Sequence, residues 1–237
     1  PALAIDEREY VDSKPTGEDT LTSLKETFRD REFVKFVSSD IVYWVAITMF
    51  QTGLPFFVTG LLKLPETSTT IYFVLMTGVS VLFYLPVNIF AGRVGKKRLM
   101  LVGFAIFTCA YVFASLLGSG ALAGIPAMAQ GAILSVACAV PMAIFGILPQ
   151  AVVANIAGAS SKSTGEDRQG MFYAARTFAM KMGQSLSMLL FTGLSTIGAA
   201  SGTGYRAAAI CAAVLCGVGG VIFAFYNEKK VLKALEA

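Results

Sequence analysis

The chain contains no histidine. That removes His-based metal sites, Ser–His nucleophiles and His proton relays from consideration. Acids are scarce as well: Asp and Glu total 15 of 237 residues, and none occurs between residues 67 and 165. Charged residues of both signs reach only 14%, against about 25% in soluble domains. There is a single tryptophan, Trp44. The four cysteines, Cys109, Cys138, Cys211 and Cys216, all fall inside apolar stretches. A free thiol there packs as a small hydrophobe, so neither a disulfide nor a metal role is expected. An intramembrane enzyme needs a nucleophile–base pair, a metal or paired acids. None is visible, so the chain is not read as an enzyme and no cofactor is expected.

Apolar residues, by contrast, make up 55% of the chain, and the mean hydropathy is +0.68. They gather into six stretches, at 33–59, 68–91, 99–117, 125–157, 170–197 and 205–226. A helix crossing a bilayer needs about 20 such residues. The expected fold class is therefore an all-α polytopic membrane protein with six transmembrane helices, organised as a leading segment 1–32, a bundle 33–227 and a tail 228–237. Gly53 and Pro55 are expected to kink the far end of the first span, and Pro86 and Asn88 lie near the end of the second. Pro141, Gly146 and Pro149 are expected to interrupt the fourth. In the leading segment, Pro15 to Asp19 reads as a turn. Residues 20–31 read as a short amphipathic helix with Leu21, Leu24 and Phe28 on one face, and Thr22 as a possible cap. No signal-peptide pattern precedes the first span.

Loop charges set an orientation. Fifteen Lys and Arg fall on one side: six in 8–35, then Arg93, Lys96, Lys97 and Arg98, then Lys162 and Arg168, then Lys229, Lys230 and Lys233. Only Lys63 and Arg206 fall on the other, and Arg176 and Lys181 lie within the fifth span. Positive loops stay inside, so both termini are expected in the cytoplasm. The net charge of +4 arises from these loops and gives no reason to expect a nucleic-acid partner.

Lys181 lies deep in the fifth span, with no carboxylate near it in sequence. A charge at the bilayer centre costs about 2.5–3.5 kcal/mol on insertion scales, and such a residue is a functional candidate by default. Tyr173, Thr177, Lys181, Gln184, Ser185, Met188 and Thr192 recur at three- and four-residue steps and form one polar stripe. In lipid such a stripe faces protein or a water-filled cavity; the plainer alternative is a lysine that only packs or snorkels between helices. The first span carries a similar row, Asp40, Trp44, Thr48, Gln51 and Pro55. An indole beside Thr and Gln suits stacking against a sugar. The alternatives are that Trp44 anchors an interface and that Asp40 merely neutralises Arg176 or a loop cation. Asp40 is the only carboxylate even marginally placed to bind a coupling cation, so the lysine calls for a partner outside the chain. The tight loop Gly92 to Arg98 can bind helix C-terminal carbonyls or lipid phosphates, or simply anchor topology.

The loop AGRVGKKR (91–98) resembles the short cytoplasmic loop motif of the major facilitator superfamily, which occurs once per six-helix half. The run ILPQAVVANIAGASSKSTGEDRQGMFYAARTFAMKMGQSLSMLL (147–190) resembles the fourth-to-fifth-span region in the C-terminal half of glycoside–pentoside–hexuronide:cation symporters, the melibiose-permease-like family. The segment TFRDREFVKF (27–36) is similar to that family's entry into its seventh helix. The resemblance implies one half of a major-facilitator bundle, built of two inverted three-helix repeats, in a bacterial inner (plasma) membrane. It implies sugar symport with Na+ or H+ by alternating access. The partner would be an N-terminal six-helix half, or a second copy, holding most of the cation site. Lys181 would match the family's fifth-span lysine, with Tyr173, Thr177, Gln184, Ser185, Trp44, Gln51 and Asp40 around substrate or coupling ion. Arg93, Lys96, Lys97, Arg98, Arg168 and Arg176 would serve the cytoplasmic loops and gate. The chain departs from the family at Gly92, and at Asn155 and Gly158, where acids are usual. Transport of another organic solute such as a lysolipid, or a non-transporting anchor or sensor subunit, are the alternative functions.

Overall fold

The computed structural model describes residues 20–166, 168–198 and 201–236; the turn expected at 15–19 lies outside them. All of the regular structure among these residues is helical. A short helix α1 (Thr20–Arg29) leads into α2 (Arg31–Phe56), which continues as a π-helical turn, Phe57–Leu61. Then follow α3 (Thr67–Val94), α4 (Lys96–Leu116), α5 (Ala127–Thr164), α6 (Gln169–Ser195), α7 (Thr203–Ala224) and α8 (Glu228–Glu236).

Six of these helices match the six expected spans to within a few residues, except at one end of α5. Five of them are long and apolar enough to cross a membrane. The exception is α6, whose 27 residues include the polar stripe that dilutes its apolar character.

Local chemistry explains the boundaries. Asp30 separates α1 from α2, and its carboxylate accepts the backbone N–H groups of Glu32 at 2.8 Å and Phe33 at 3.0 Å. Those donors have no intrahelical acceptor, and an Asp cap satisfies them. Within α2, Pro55 withholds a backbone donor, and the wider π-helical turn begins two residues on. The Thr59 hydroxyl donates back to the Pro55 carbonyl at 2.8 Å.

The interruption expected at Pro141, Gly146 and Pro149 does not occur. Helix α5 runs unbroken through both prolines and extends to Thr164, past the expected end at 157. Neighbouring helices tolerate prolines in a buried span, and both prolines here are buried. The added final turns are tied back by the hydroxyls of Ser161, to Ala157, and of Ser163 and Thr164, to Ser160.

The packing reveals an internal repeat. Helix α2 packs on α6 and α7, α5 packs on α3 and α4, and α4 packs on α7. Exchanging α2, α3 and α4 for α5, α6 and α7 maps this pattern onto itself. An odd number of spans per unit makes the second unit start on the opposite side, so the two are inverted.

The centre is aromatic. Tyr43 stacks on Phe145 at 4.2 Å, Phe104 meets Phe145 edge-on at 4.7 Å, and Phe107 stacks on Tyr111 at 5.5 Å. The Tyr111 hydroxyl donates to the Ala46 carbonyl at 3.1 Å. In lipid, such contacts and hydrogen bonds hold helices together, because apolar burial alone favours neither lipid nor protein. Helix α3 is the least covered span, with Leu82 at 74% and Leu85 at 70% exposure. That face is left for lipid or a partner. All four cysteines are free; Cys138 and Cys216 pack in the interior, whereas Cys109 is exposed.

Candidate functional site

Helices α2 and α6 run side by side in the same direction, and a seam of specific contacts fixes their register. Phe33 meets Phe172 edge-on at 4.9 Å. Further along, the Arg176 guanidinium donates to the Asp40 carboxylate through Nε at 3.0 Å and Nη2 at 3.4 Å. Arg176 also sits 5.9 Å from the centre of the Phe36 ring. Beyond the ion pair the backbones approach closely. A Cβ on Gly183 would stand 2.9 Å from the Ile41 carbonyl oxygen and 3.2 Å from Trp44 Cβ. Only glycine fits there without parting the helices.

This seam decides what is committed and what is free. Asp40 and Arg176 are both buried, with side-chain exposures of 2% and 8%. Each answers the other's charge, so the geometry matches the neutralising reading of Asp40. Beside them, the polar stripe of α6 lies largely on the outside of the bundle. Thr177, Lys181 and Ser185 are exposed, and Tyr173 and Gln184 are half-buried. The hydroxyls of Thr177 and Ser185 donate back to the carbonyls of Tyr173 at 2.8 Å and Lys181 at 3.0 Å. Such i−4 bonds satisfy Ser and Thr within a helix. Among the described residues no ion pair involves Lys181. It lies near the middle of α6, about 18 Å from its start at 1.5 Å per residue.

On α2 the Gly183 contact brings Trp44 next to the same stretch of α6. Trp44 is half-buried, and its indole N–H, one turn from Asp40, makes no hydrogen bond of good geometry. The Thr48 hydroxyl is likewise buried without a partner, and Gln51 is exposed one turn on. The structure thus brings Trp44 and the Lys181–Gln184 stretch together across one helix seam. Asp40 and Arg176 lie beneath it. Among the described residues no group of three or more Cys, Asp or Glu side chains could hold a metal ion.

The loop cations sit elsewhere, at the end of the bundle where α3 and α5 finish and α2, α4 and α6 begin. Gly95 alone joins α3 to α4, at φ 95°, a conformation open to glycine. The Glu228 carboxylate, at the start of α8, accepts from the backbone N–H groups of Lys96 at 2.8 Å and Lys97 at 3.1 Å. It therefore caps α4 from 131 residues away in sequence. The Lys97 ammonium donates to the Ala224 carbonyl at the end of α7, at 2.7 Å. Arg93 and Arg98 are exposed, and Arg168 pairs with Glu166. Glu32 accepts the Asn227 N–H at 2.8 Å and pairs with Lys35 at 3.0 Å. Tyr226 is buried in this layer. Burial, with Glu228, Glu32 and Asp30 adding to it, pushes its phenol well above the ordinary value and keeps it neutral.

Sequence reasoning missed Glu228 and the docked helix α8. The signal was slight: one acid ahead of two lysines in a short amphipathic segment, Glu228–Glu236. It also missed what fills the space at Gly158, where a Cβ would come 2.9 Å from Leu235 Cδ2 of α8.

Residues 3–212 match the family model described as MFS/sugar transport protein. The chain belongs to this family of the major facilitator superfamily. No curated protein matches it significantly. This MFS protein is therefore a secondary transporter of the major-facilitator type, and its family is one of carriers rather than enzymes. The exchange symmetry of its packing and the mid-helix lysine both sit on that frame.

Proposed function

We propose that this transporter chain is the C-terminal six-helix half of a melibiose-permease-like sugar:cation symporter. Its companion is an N-terminal six-helix half, or a second copy. The observation that carries this reading is Lys181, an ammonium group at mid-span, on a polar stripe at the bundle's outer face, with no ion-pair partner among the described residues. An exposed charge at that depth is costly in lipid and is best answered by water and an opposing carboxylate. Among the described residues no free one is available, because Asp40 is bound by Arg176 and the other described acids lie at the helix ends. The missing acids then belong to the companion bundle, together with most of the Na+ or H+ site. Trp44, Thr48, Gln51 and Gln184 supply an aromatic face and polar rim for a sugar beside that ammonium, with Tyr173, Thr177 and Ser185 along the same stripe. The two bundles rock about this shared cavity to alternate access. The basic end lies in the cytoplasm, with both termini, and the membrane is a bacterial inner membrane.

The test is uptake of labelled glycosides into vesicles holding the intact protein, driven by a sodium or proton gradient. Lys181→Met is expected to insert normally and to lose gradient-driven uptake. Undiminished uptake by that variant removes the lysine from the mechanism.

A further inference from the structure

A second feature lies at the basic end, away from the seam that joins Trp44 and the Lys181–Gln184 stretch. A cavity of about 610 Å³ opens between the α3–α4 junction and the start of α8. That volume falls within the range of small-ligand sites. Five cations line it, Arg93, Lys96, Lys97, Arg98 and Lys229, against one carboxylate, Glu228. The carboxylate is already occupied, because both of its oxygens accept backbone N–H groups of α4. The Lys97 ammonium is engaged by the Ala224 carbonyl, and Lys96 reaches the Ala151 carbonyl at 3.5 Å. Arg93, Arg98 and Lys229 are exposed and make no ion pair among the described residues. The cavity therefore holds a surplus of positive charge that the described residues do not answer.

Its rim is apolar. Phe90 and Val94, on the last turns of α3, are 52% and 44% exposed, and Leu232 of α8 is 40% exposed. Val94 and Leu232 are themselves lining residues. These side chains continue the uncovered face of α3 into the mouth of the basic cavity. A ligand that meets both surfaces carries an anionic head and an apolar tail. A free anion answers the charge and leaves the rim unused.

We propose that this cavity seats the phosphate headgroup of an anionic phospholipid, with its acyl chains running down the exposed face of α3. Arg93 and Arg98 grip the phosphate oxygens, since a guanidinium fork matches phosphate geometry. Lys229 closes the site from α8. The lipid thus bridges α3, α4 and α8 on the face that carries the basic loops, next to the Glu228 cap.

The intact protein is extracted from mixed micelles containing equal phosphatidylglycerol and phosphatidylcholine, and co-purified lipid is counted by native mass spectrometry. The wild type is expected to retain phosphatidylglycerol in preference. Each juxtamembrane cation contributes a several-fold preference for anionic lipid. Arg93→Gln/Arg98→Gln/Lys229→Gln is therefore expected to lower that preference at least ten-fold, while Arg93→Lys/Arg98→Lys retains part of it. Lys25→Gln/Arg29→Gln/Lys233→Gln removes the same charge from exposed positions outside the cavity and is expected to leave the preference intact. An equal loss in that control overturns the proposal in favour of diffuse surface charge. Displacement of the lipid by millimolar inorganic phosphate or glycerol phosphate overturns it in favour of a soluble anion. An unchanged preference in the cavity variant, eluting as a monodisperse protein, overturns it outright.

Discussion

Changing Asp40 to Asn should unfold this bundle more readily than almost any other single polar substitution. The Arg176 guanidinium has two hydrogen bonds to the Asp40 carboxylate, at 3.0 and 3.4 Å, and both side chains are almost fully enclosed. Removing one member of a buried pair leaves an uncompensated charge and costs about 3–5 kcal/mol. A folded domain commands only about 5–15 kcal/mol in total, so a loss of this size is easily seen. Removing both members takes away the orphaned charge. Asp40→Asn/Arg176→Gln is therefore expected to recover most of the loss, with a coupling energy of about 2–3 kcal/mol in the double-mutant cycle. Unfolding in detergent, followed by emission of Trp44 one turn from Asp40, is the assay. Trp44 is the only tryptophan of this chain and lies beside the pair. If Asp40→Asn melts with the wild type and the double variant gains nothing, the pair does not clamp α2 to α6. If that variant is instead stable and loses cation dependence of uptake, Asp40 is a coupling residue and its assignment here is wrong.

Two further substitutions probe the frame around the site. Gly183→Ala places a methyl group 2.9 Å from the Ile41 carbonyl and should cost about 1–3 kcal/mol through strain between α2 and α6, read as a lowered melting temperature. A neutral result would show that the two helices part without penalty. Glu228→Gln removes the charge from the cap on α4, with an expected loss of about 1–2 kcal/mol and faster amide exchange at Lys96 and Lys97. Unchanged exchange at those amides would show that α4 does not depend on α8.

Much of the architecture could be read directly from hydropathy. Six long helices follow from six long apolar runs, five of them apolar enough to cross a membrane, and the basic end follows from the clustering of Lys and Arg in alternate loops. The polar stripe around Lys181 stands out because helical spacing brings Thr177, Lys181 and Ser185 onto one face. What hydropathy does not carry is which helix meets which. Asp40 and Arg176 are 136 positions apart, and nothing local in sequence distinguishes a paired acid from a cation-binding one. The continuity of α5 was hidden because proline reads as a breaker, and its tolerance at Pro141 and Pro149 depends on neighbours that supply packing. Glu228 and Gly158 were obscure for a related reason. Each has meaning only once α8 folds back, to cap α4 through Glu228 and to fill the space above Gly158 through Leu235. Helix α6 shows the same limit from the other side: the stripe that marks it as functional also dilutes its apolar character below that of its five neighbours.

The central claim is that Lys181 faces water shared with a companion bundle, and accessibility measures this most directly. In a cysteine-free background of the intact protein, Lys181→Cys is treated in sealed vesicles with a membrane-impermeant thiol reagent. Val214→Cys, on the exposed apolar face of α7, serves as the lipid-facing reference. Lys181→Cys is expected to react far faster than the reference and to be protected by a transported sugar. Equal inertness at both positions would place Lys181 against lipid and contradict it.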